Sequence, residues 1–126
     1  MSKPKTIKID DVEYIQKDSV NQMADKKDGL EYVIIRADRA GVFAGYLESI
    51  TDTVAGRLAV IREARRLWYW SGAASLSQLA IDGTKKPSDC KFPEALNKIE
   101  VSQVIEVIPC TNKAKESIQA VSIWHQ

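Results

Sequence analysis

Two arginines and three aromatic rings stand side by side in the stretch RRLWYW, residues 65–70. A guanidinium presents a planar fork that matches phosphate oxygens, and it also stacks on aromatic rings. An aromatic side chain can hold a purine by stacking, at about 1–3 kcal/mol per base. The stretch has two possible interpretations. Its rings could be packed in the core with the arginines solvated at the edge, or Arg65, Arg66, Trp68 and Tyr69 could form a site for a flat anionic ligand.

The segment that follows offers a second feature that could support an anion. Ser71 is a predicted N-cap, Ala73–Ala80 a predicted short helix, and Gly83 its predicted C-terminal residue. Backbone N–H groups at a helix start favour negative charge. The pattern therefore predicts a weak anion site beside the two arginines.

Three further places combine basic and aromatic residues. Arg36 ends a predicted strand next to a turn, from which an arginine can reach a ligand, although exposed turn arginines are common. Phe92 lies in a polar loop, so its ring is predicted either to enter the core or to await a partner. Lys85 and Lys86, followed by Lys91 and Phe92, form a second basic stretch that contains one ring, and the two adjacent lysines predict a solvated charge run.

Catalytic constellations are missing from the sequence. The single histidine, His125, excludes every arrangement that needs two histidines and makes a His-assisted nucleophile improbable. Asp10 and Asp11 are adjacent, so their side chains diverge on a strand. The chain has no glycine-rich phosphate loop, serine elbow or metal triad. We therefore predict a binding protein and not an enzyme, with no metal and no cofactor.

Composition narrows the class of protein further. The 126 residues fit a single domain, and the net charge of +1 argues against a nucleic-acid partner. No apolar run is long enough to span a bilayer and the start lacks a signal-like segment, so we expect no membrane association and a cytoplasmic location. Cys90 and Cys110 predict two free thiols, with a disulfide as the alternative.

Alternating and β-branched segments predict a sheet. The first strand, Leu30–Ala37, is apolar on both faces and should be central, with Tyr32 and Ile34 opposite Val33 and Ile35. Gly45 would mark a bulge or a close approach. Helix is the alternative for the segment 58–70. The remaining predicted strands are Val42–Ile50, Leu58–Trp70 and Ile99–Ile108.

Shorter elements complete the predicted fold. Residues 6–15 predict a hairpin, residues 17–29 a flexible loop, and residues 122–124 an edge strand. Thr111 is a predicted N-cap of a second short helix with a stripe of apolar residues. The expected fold class is α+β: a small, mainly antiparallel β domain with two short helices.

The sequence also resembles a known group of proteins. The segment ARRLWYWSGAASLSQLAIDGTKKPSDCKF, with AGVFAGYLES before it and VIEVIPCTNKAKESI after it, resembles a family of small proteins from bacteriophage and prophage genomes. That family is similar to the Thoeris anti-defence proteins. These bind cyclic ADP-ribose signals made by host TIR-domain proteins, as oligomers and without cleaving the ligand, and some also hold cyclic oligonucleotides.

The resemblance implies particular roles for residues of the motif. Arg66, with Arg65 as its neighbour, would contact phosphate, and Arg36 would be a further phosphate contact. Phe92 would stack on the base. The expected function is sequestration of a cyclic nucleotide signal by a phage homo-oligomer in the host cytoplasm. A protein-interaction module that inhibits a host protein is the alternative, and a single-stranded nucleic-acid binder is disfavoured by the net charge.

Overall fold

The computed structural model describes residues 22–125, and these form one five-stranded antiparallel sheet with two helices. This confirms the α+β class. The predicted hairpin at residues 6–15 and residues 17–21 of the predicted loop lie outside the described residues. A 3-10 turn spans Pro87–Asp89. The other elements are β1 Glu31–Ala37, β2 Gly41–Thr53, β3 Gly56–Arg66, α1 Leu76–Asp82, β4 Leu96–Val101, β5 Val104–Pro109 and α2 Asn112–Ala120.

Strand β1 is central, as its two apolar faces predict. It lies between β2 and β5 in the sheet order β4-β3-β2-β1-β5. Tyr32 and Ile34 are buried in the cluster that also holds the helix residues, whereas Val33 and Ile35 are buried in a second cluster on the other face. The alternation of a strand thus builds two cores, one on each face of a single sheet.

The sheet curls until its two edges meet at one corner. Strands β4 and β5 are opposite edges in the sheet order, yet only two residues separate them along the chain. Val101 at the end of β4 pairs with Ala59 of β3, and Val104 at the start of β5 pairs with Ala37 of β1. The turn between them holds Gln103 at φ +58°. The concave face of the sheet therefore encloses the cluster that contains Val33 and Ile35, and no helix among residues 22–125 packs on that cluster.

This turn corrects the predicted single strand Ile99–Ile108. Val101 and Val104 are both buried although they lie three positions apart, which breaks the period of two. In one continuous strand the alternation would place Ile105 on the same inward face as Val101, but Ile105 is 54% exposed.

Strand β3 has a β-bulge opposite Gly45 of β2, at the position where Gly45 predicts a bulge or a close approach. The pairing register shifts opposite Gly45, and Glu63 on β3 adopts φ +51°. A Cβ atom added at Gly45 would lie 2.6 Å from Ile61 Cγ2 and 2.7 Å from the Arg62 carbonyl oxygen. The bare glycine permits this close approach. Beyond the bulge, Arg65 faces the helices.

The first helix begins later than predicted. Ser75, and not Ser71, is the N-cap, and its Oγ accepts the Gln78 N–H at 3.2 Å. Gly72 adopts φ +85°, and its carbonyl accepts the Lys85 N–H, so residues 71–74 form a loop. The expected helix start at Ala73 and the weak anion site next to the arginines are therefore wrong. The predicted end at Gly83, with φ +75°, is confirmed.

The second helix follows the prediction closely. Thr111 Oγ accepts the Ala114 N–H at 3.1 Å, and Ala114 and Ile118 are its buried residues. The predicted edge strand at residues 122–124 is reduced to one parallel bridge between Phe92 and Ile123. Residues 22–29 of the predicted flexible loop are held in place, for example by the Ala24 N–H to the Cys110 carbonyl at 3.0 Å.

Candidate functional site

Arg65 is an interior anchor and not a surface residue. Its side chain donates to three backbone carbonyls, those of Pro93 at 2.9 Å, Ile118 at 2.9 Å and Phe92 at 3.0 Å. Ile118 lies in the last turn of α2, where a cation also meets the negative end of the helix dipole. Burial lowers the pKa of the guanidinium. Arg65 therefore ties β3 to α2 and to the segment before β4.

The same anchor removes the predicted stacking role of Phe92. The Phe92 ring is fully buried, and the Arg65 guanidinium lies 5.5 Å from its centroid. A ring with no exposed face offers nothing to a base, so the prediction that Phe92 enters the core was the correct alternative. The phosphate contact expected of Arg65 beside Trp68 and Tyr69 is likewise opposed by this geometry, since the side chain is 6% exposed and lines a different cavity from the cleft that Trp68 lines.

Arg66 takes the opposite direction and reaches the surface. Its Nη1 donates to the Ala40 carbonyl at 2.8 Å, and its guanidinium lies 4.4 Å from the Phe43 ring centroid. Arg66, Trp68 and Trp70 line one cleft of about 150 Å³. Strand β3 ends at Arg66 and not at Trp70, but these three residues still share a side, as the alternation predicts.

Next to this cleft, two exposed rings and one half-buried ring surround one ammonium. The Lys91 Nζ lies 5.3 Å from the Trp68 ring centroid, 5.6 Å from that of Trp124 and 5.9 Å from that of Tyr69. Trp68 is 58% exposed and Tyr69 49% exposed. Each contact lies within the range of a cation–π interaction. We call these four residues, Trp68, Tyr69, Lys91 and Trp124, the aromatic–lysine surface.

Backbone hydrogen bonds bring three distant segments together at this surface. Tyr69 and Lys91 exchange N–H and carbonyl groups at 3.3 and 2.7 Å. The Trp124 N–H donates to the Phe92 carbonyl at 3.0 Å, the same oxygen that accepts from Arg65. The buried Arg65 anchor thus positions both segments that carry the half-buried residues Lys91 and Trp124.

The charge of the surface is positive. In the part of the chain that the structure describes, neither Arg66 nor Lys91 forms an ion pair with a carboxylate. Arg36 differs, because its Nε donates to Glu106 Oε1 at 2.9 Å. Arg36 lies on β1, and no contact among residues 22–125 joins it to the aromatic–lysine surface.

Sequence reasoning missed two members of this surface. Lys91 was identified only as part of a basic stretch with Phe92 and was given no role in binding, although its position beside that ring was a usable signal. Trp124 carries no local signal, because only the path of the chain after α2 brings it against Trp68. Arg66, Trp68 and Tyr69 are the predicted site residues that the structure brings together.

Three further features concern the described part of the chain: its two cysteines, possible metal ligands and possible membrane-spanning helices. Cys90 and Cys110 are both free and buried, as the main expectation had it. Between residues 22 and 125, no three His, Cys, Asp or Glu side chains are grouped so that they would hold a metal ion. Over the same range, no helix has the length and apolar character to cross a bilayer.

Fold and surface together define a small α+β domain whose exposed feature is a cluster of rings around a cation. The chain belongs to the family described as a domain of unknown function, DUF6948, whose profile matches residues 30–118. No curated protein and no solved structure matches the chain. The matched range contains Trp68, Tyr69 and Lys91 and ends before Trp124.

Proposed function

We propose that the protein is a non-catalytic binding protein whose aromatic–lysine surface captures a phosphorylated purine of the cyclic ADP-ribose type. The observation that carries the proposal is the position of the Lys91 ammonium among the two exposed rings of Trp68 and Tyr69 and the half-buried ring of Trp124, with Arg66 in the same cleft as Trp68. In this proposal the phage-type protein sequesters the nucleotide signal in the host cytoplasm and releases it chemically unchanged.

The chemistry of the surface suits the parts of such a ligand. The 58% exposed Trp68 offers an indole to a purine, and base stacking of this kind contributes about 1–3 kcal/mol. Arg66 presents a planar fork and Lys91 a point charge, and both pair with phosphate. The roles that the resemblance gave to Phe92 and Arg65 pass to Trp68 and Lys91, since the former two are buried.

The cleft is too small to enclose the whole ligand, so the proposal includes a second subunit. Its volume of about 150 Å³ is smaller than the roughly 300–1,000 Å³ usual for ligand pockets. One ring or one phosphate fits in this volume, whereas a whole molecule of the cyclic ADP-ribose type does not. A symmetric homo-oligomer would place two such surfaces around one ligand or close each cleft with a partner.

A ligand panel tests this function. Melting temperature would be measured with cyclic ADP-ribose isomers, with cyclic oligonucleotides and with linear ADP-ribose. We expect one cyclic ligand to raise the melting temperature, and native mass spectrometry to recover it with unchanged mass. An unmoved melting temperature across the panel, or a ligand recovered with altered mass, would contradict the proposal.

Matched variants locate the binding on the surface. Trp68→Ala should weaken ligand affinity by about tenfold or more, because it removes one stacking face. Lys91→Ala should weaken binding of the phosphorylated ligand and reduce its dependence on salt. Ile105→Ala is the control, since Ile105 is a similarly exposed large apolar residue on β5, outside the surface. Equal loss in all three variants would place the site elsewhere.

A second candidate function is a protein-interaction module that inhibits a host protein. It is favoured by the exposure of Trp68, Tyr69 and Ile123, since exposed aromatic residues beside a cation are typical of interface hot spots. Under this alternative, the protein would retain a stoichiometric host protein in a pull-down. Trp68→Ala would abolish that capture, and no nucleotide would change the melting temperature.

A further inference from the structure

A second concave feature lies on the helix side of the sheet. It is a cavity of about 360 Å³, within the usual range for a small-ligand site. None of the four residues of the aromatic–lysine surface lines it. Its lining includes Tyr32, Glu63, Arg65, Gln119, Val121 and Ile123.

The positive charge at this cavity lacks an acidic partner. Arg65 has five N–H donors, and three of them meet backbone carbonyls. Among residues 22–125, no carboxylate forms an ion pair with Arg65. Carbonyl dipoles satisfy hydrogen bonds but do not neutralise a buried charge, which gains most from an opposite charge. Glu63, the one carboxylate of the lining, pairs with Lys27.

A buried hydroxyl lies at the same cavity. Tyr32 is only 3% exposed, and its hydroxyl has no hydrogen-bond partner within the described part of the chain. Burial raises the pKa of this hydroxyl, Cys110 and Tyr46 add to the rise, and Arg65 opposes it. The hydroxyl therefore stays protonated and can donate. A buried donor without an acceptor costs about 1–3 kcal/mol, which an incoming acceptor would offset.

We infer that this cavity binds a small organic anion, whose oxyanion head meets Arg65 and the Tyr32 hydroxyl and whose short apolar body lies against Val121 and Ile123. The head group is a carboxylate or a phosphate, since both accept from a guanidinium and a hydroxyl. The apolar wall favours a carboxylate with a short aliphatic chain over inorganic phosphate. The inference does not rest on the proposed function, because the two sites share no residue.

Solution NMR on the full chain tests the inference. Butyrate and inorganic phosphate would be titrated separately against ¹⁵N-labelled protein, with the Arg65 Nε–H signal as the reporter. We expect saturable shifts at Arg65 and in the last turn of α2 with butyrate, and weaker shifts with phosphate. Saturable shifts with phosphate alone would assign a phosphate head group. No saturable shift at Arg65 with either probe would overturn the inference.

A pair of tyrosine variants makes the test specific. Tyr32→Phe keeps the ring and removes the hydroxyl, so it should weaken butyrate binding by about tenfold, the loss expected for one charge-assisted hydrogen bond. Tyr46→Phe is the matched control, because Tyr46 is a buried neighbour 5.1 Å from Tyr32 that does not line the cavity. Equal affinities in both variants would overturn the inference. A marked loss of stability in Tyr32→Phe would do so too, since it would show that the hydroxyl already has a partner.

Discussion

The indole rings of Trp68 and Trp124 stack, with centroids 5.2 Å apart and planes 9° from parallel. One ring follows β3 and the other follows α2, so the contact forms only when the whole domain has folded. Both rings stay partly exposed, and the Lys91 ammonium lies beside them. The protein thus keeps an aromatic surface at its exterior, although large aromatic side chains are usually mostly buried.

The stacked pair should be visible by circular dichroism. Two parallel indoles at this distance couple electronically, so we expect Trp68→Phe and Trp124→Phe each to abolish the same exciton band. Either change should cost about 1 kcal/mol of stability. Trp70→Phe is the control, since Trp70 lines the cleft without stacking on Trp124. A band that survives in the Trp124 variant would contradict the stacking.

Arg65 and Arg66 should differ sharply in their effect on stability. Arg65→Leu removes three hydrogen bonds from a guanidinium to backbone carbonyls, at about 1.5–3 kcal/mol each, so the domain should lose most of its stability. Arg66→Leu removes one exposed hydrogen bond to Ala40 and should cost about 1 kcal/mol or less. Urea unfolding of both variants measures the difference. Similar midpoints would show that Arg65 is not the anchor described.

Gly45, the β2 residue opposite the bulge of β3, should not tolerate a side chain. In Gly45→Ala the new Cβ would meet Ile61 and the Arg62 backbone well inside van der Waals contact, so we expect a loss of about 3 kcal/mol. Gly41→Ala is the matched control. A Cβ at Gly41 meets nothing within 4 Å, and only its φ of +98° adds strain, of about 1–2 kcal/mol. Thermal unfolding of the two variants should rank them in that order, and the reverse order would contradict the close approach.

Stability should fall in alkaline solution because of Cys110. Burial raises the pKa of this thiol from 9.0 to about 12, so between these values the folded state holds a proton that the unfolded state has lost. The contribution is fully present below pH 9.0 and is lost as the pH rises towards 12. The free energy of unfolding should decrease by about 1.4 kcal/mol per pH unit in that window.

A cysteine variant isolates this effect. In Cys110→Ala the free energy of unfolding should fall less steeply with pH above 9.0, because the titrating thiol is gone. The cavity left by the smaller side chain lowers the stability at every pH and does not change this slope. Cys90→Ala serves as the control for the loss of a buried thiol. Urea unfolding at several pH values gives the slopes. An unchanged slope in Cys110→Ala would mean that the thiol does not titrate as described.

The sequence was a good guide wherever one local pattern carried the information. The β-branched alternation of residues 30–37 predicted the central strand, Gly45 the bulge, and Thr111 the start of α2. It failed at the start of α1, because tertiary hydrogen bonds from Thr84 and Lys85 hold residues 71 and 72 in a loop. It failed again at residues 102–103, where a turn closes the sheet.

The sequence by itself determined that two adjacent arginines must point to opposite faces of a strand, since side chains alternate along it. Only the tertiary structure decided which of them is enclosed. Helix α2 and the segment at Phe92 pack on the Arg65 side, so Arg65 becomes an anchor and Arg66 stays at the surface. The aromatic–lysine surface depends on the same packing, because Trp124 reaches Trp68 only through the folded chain.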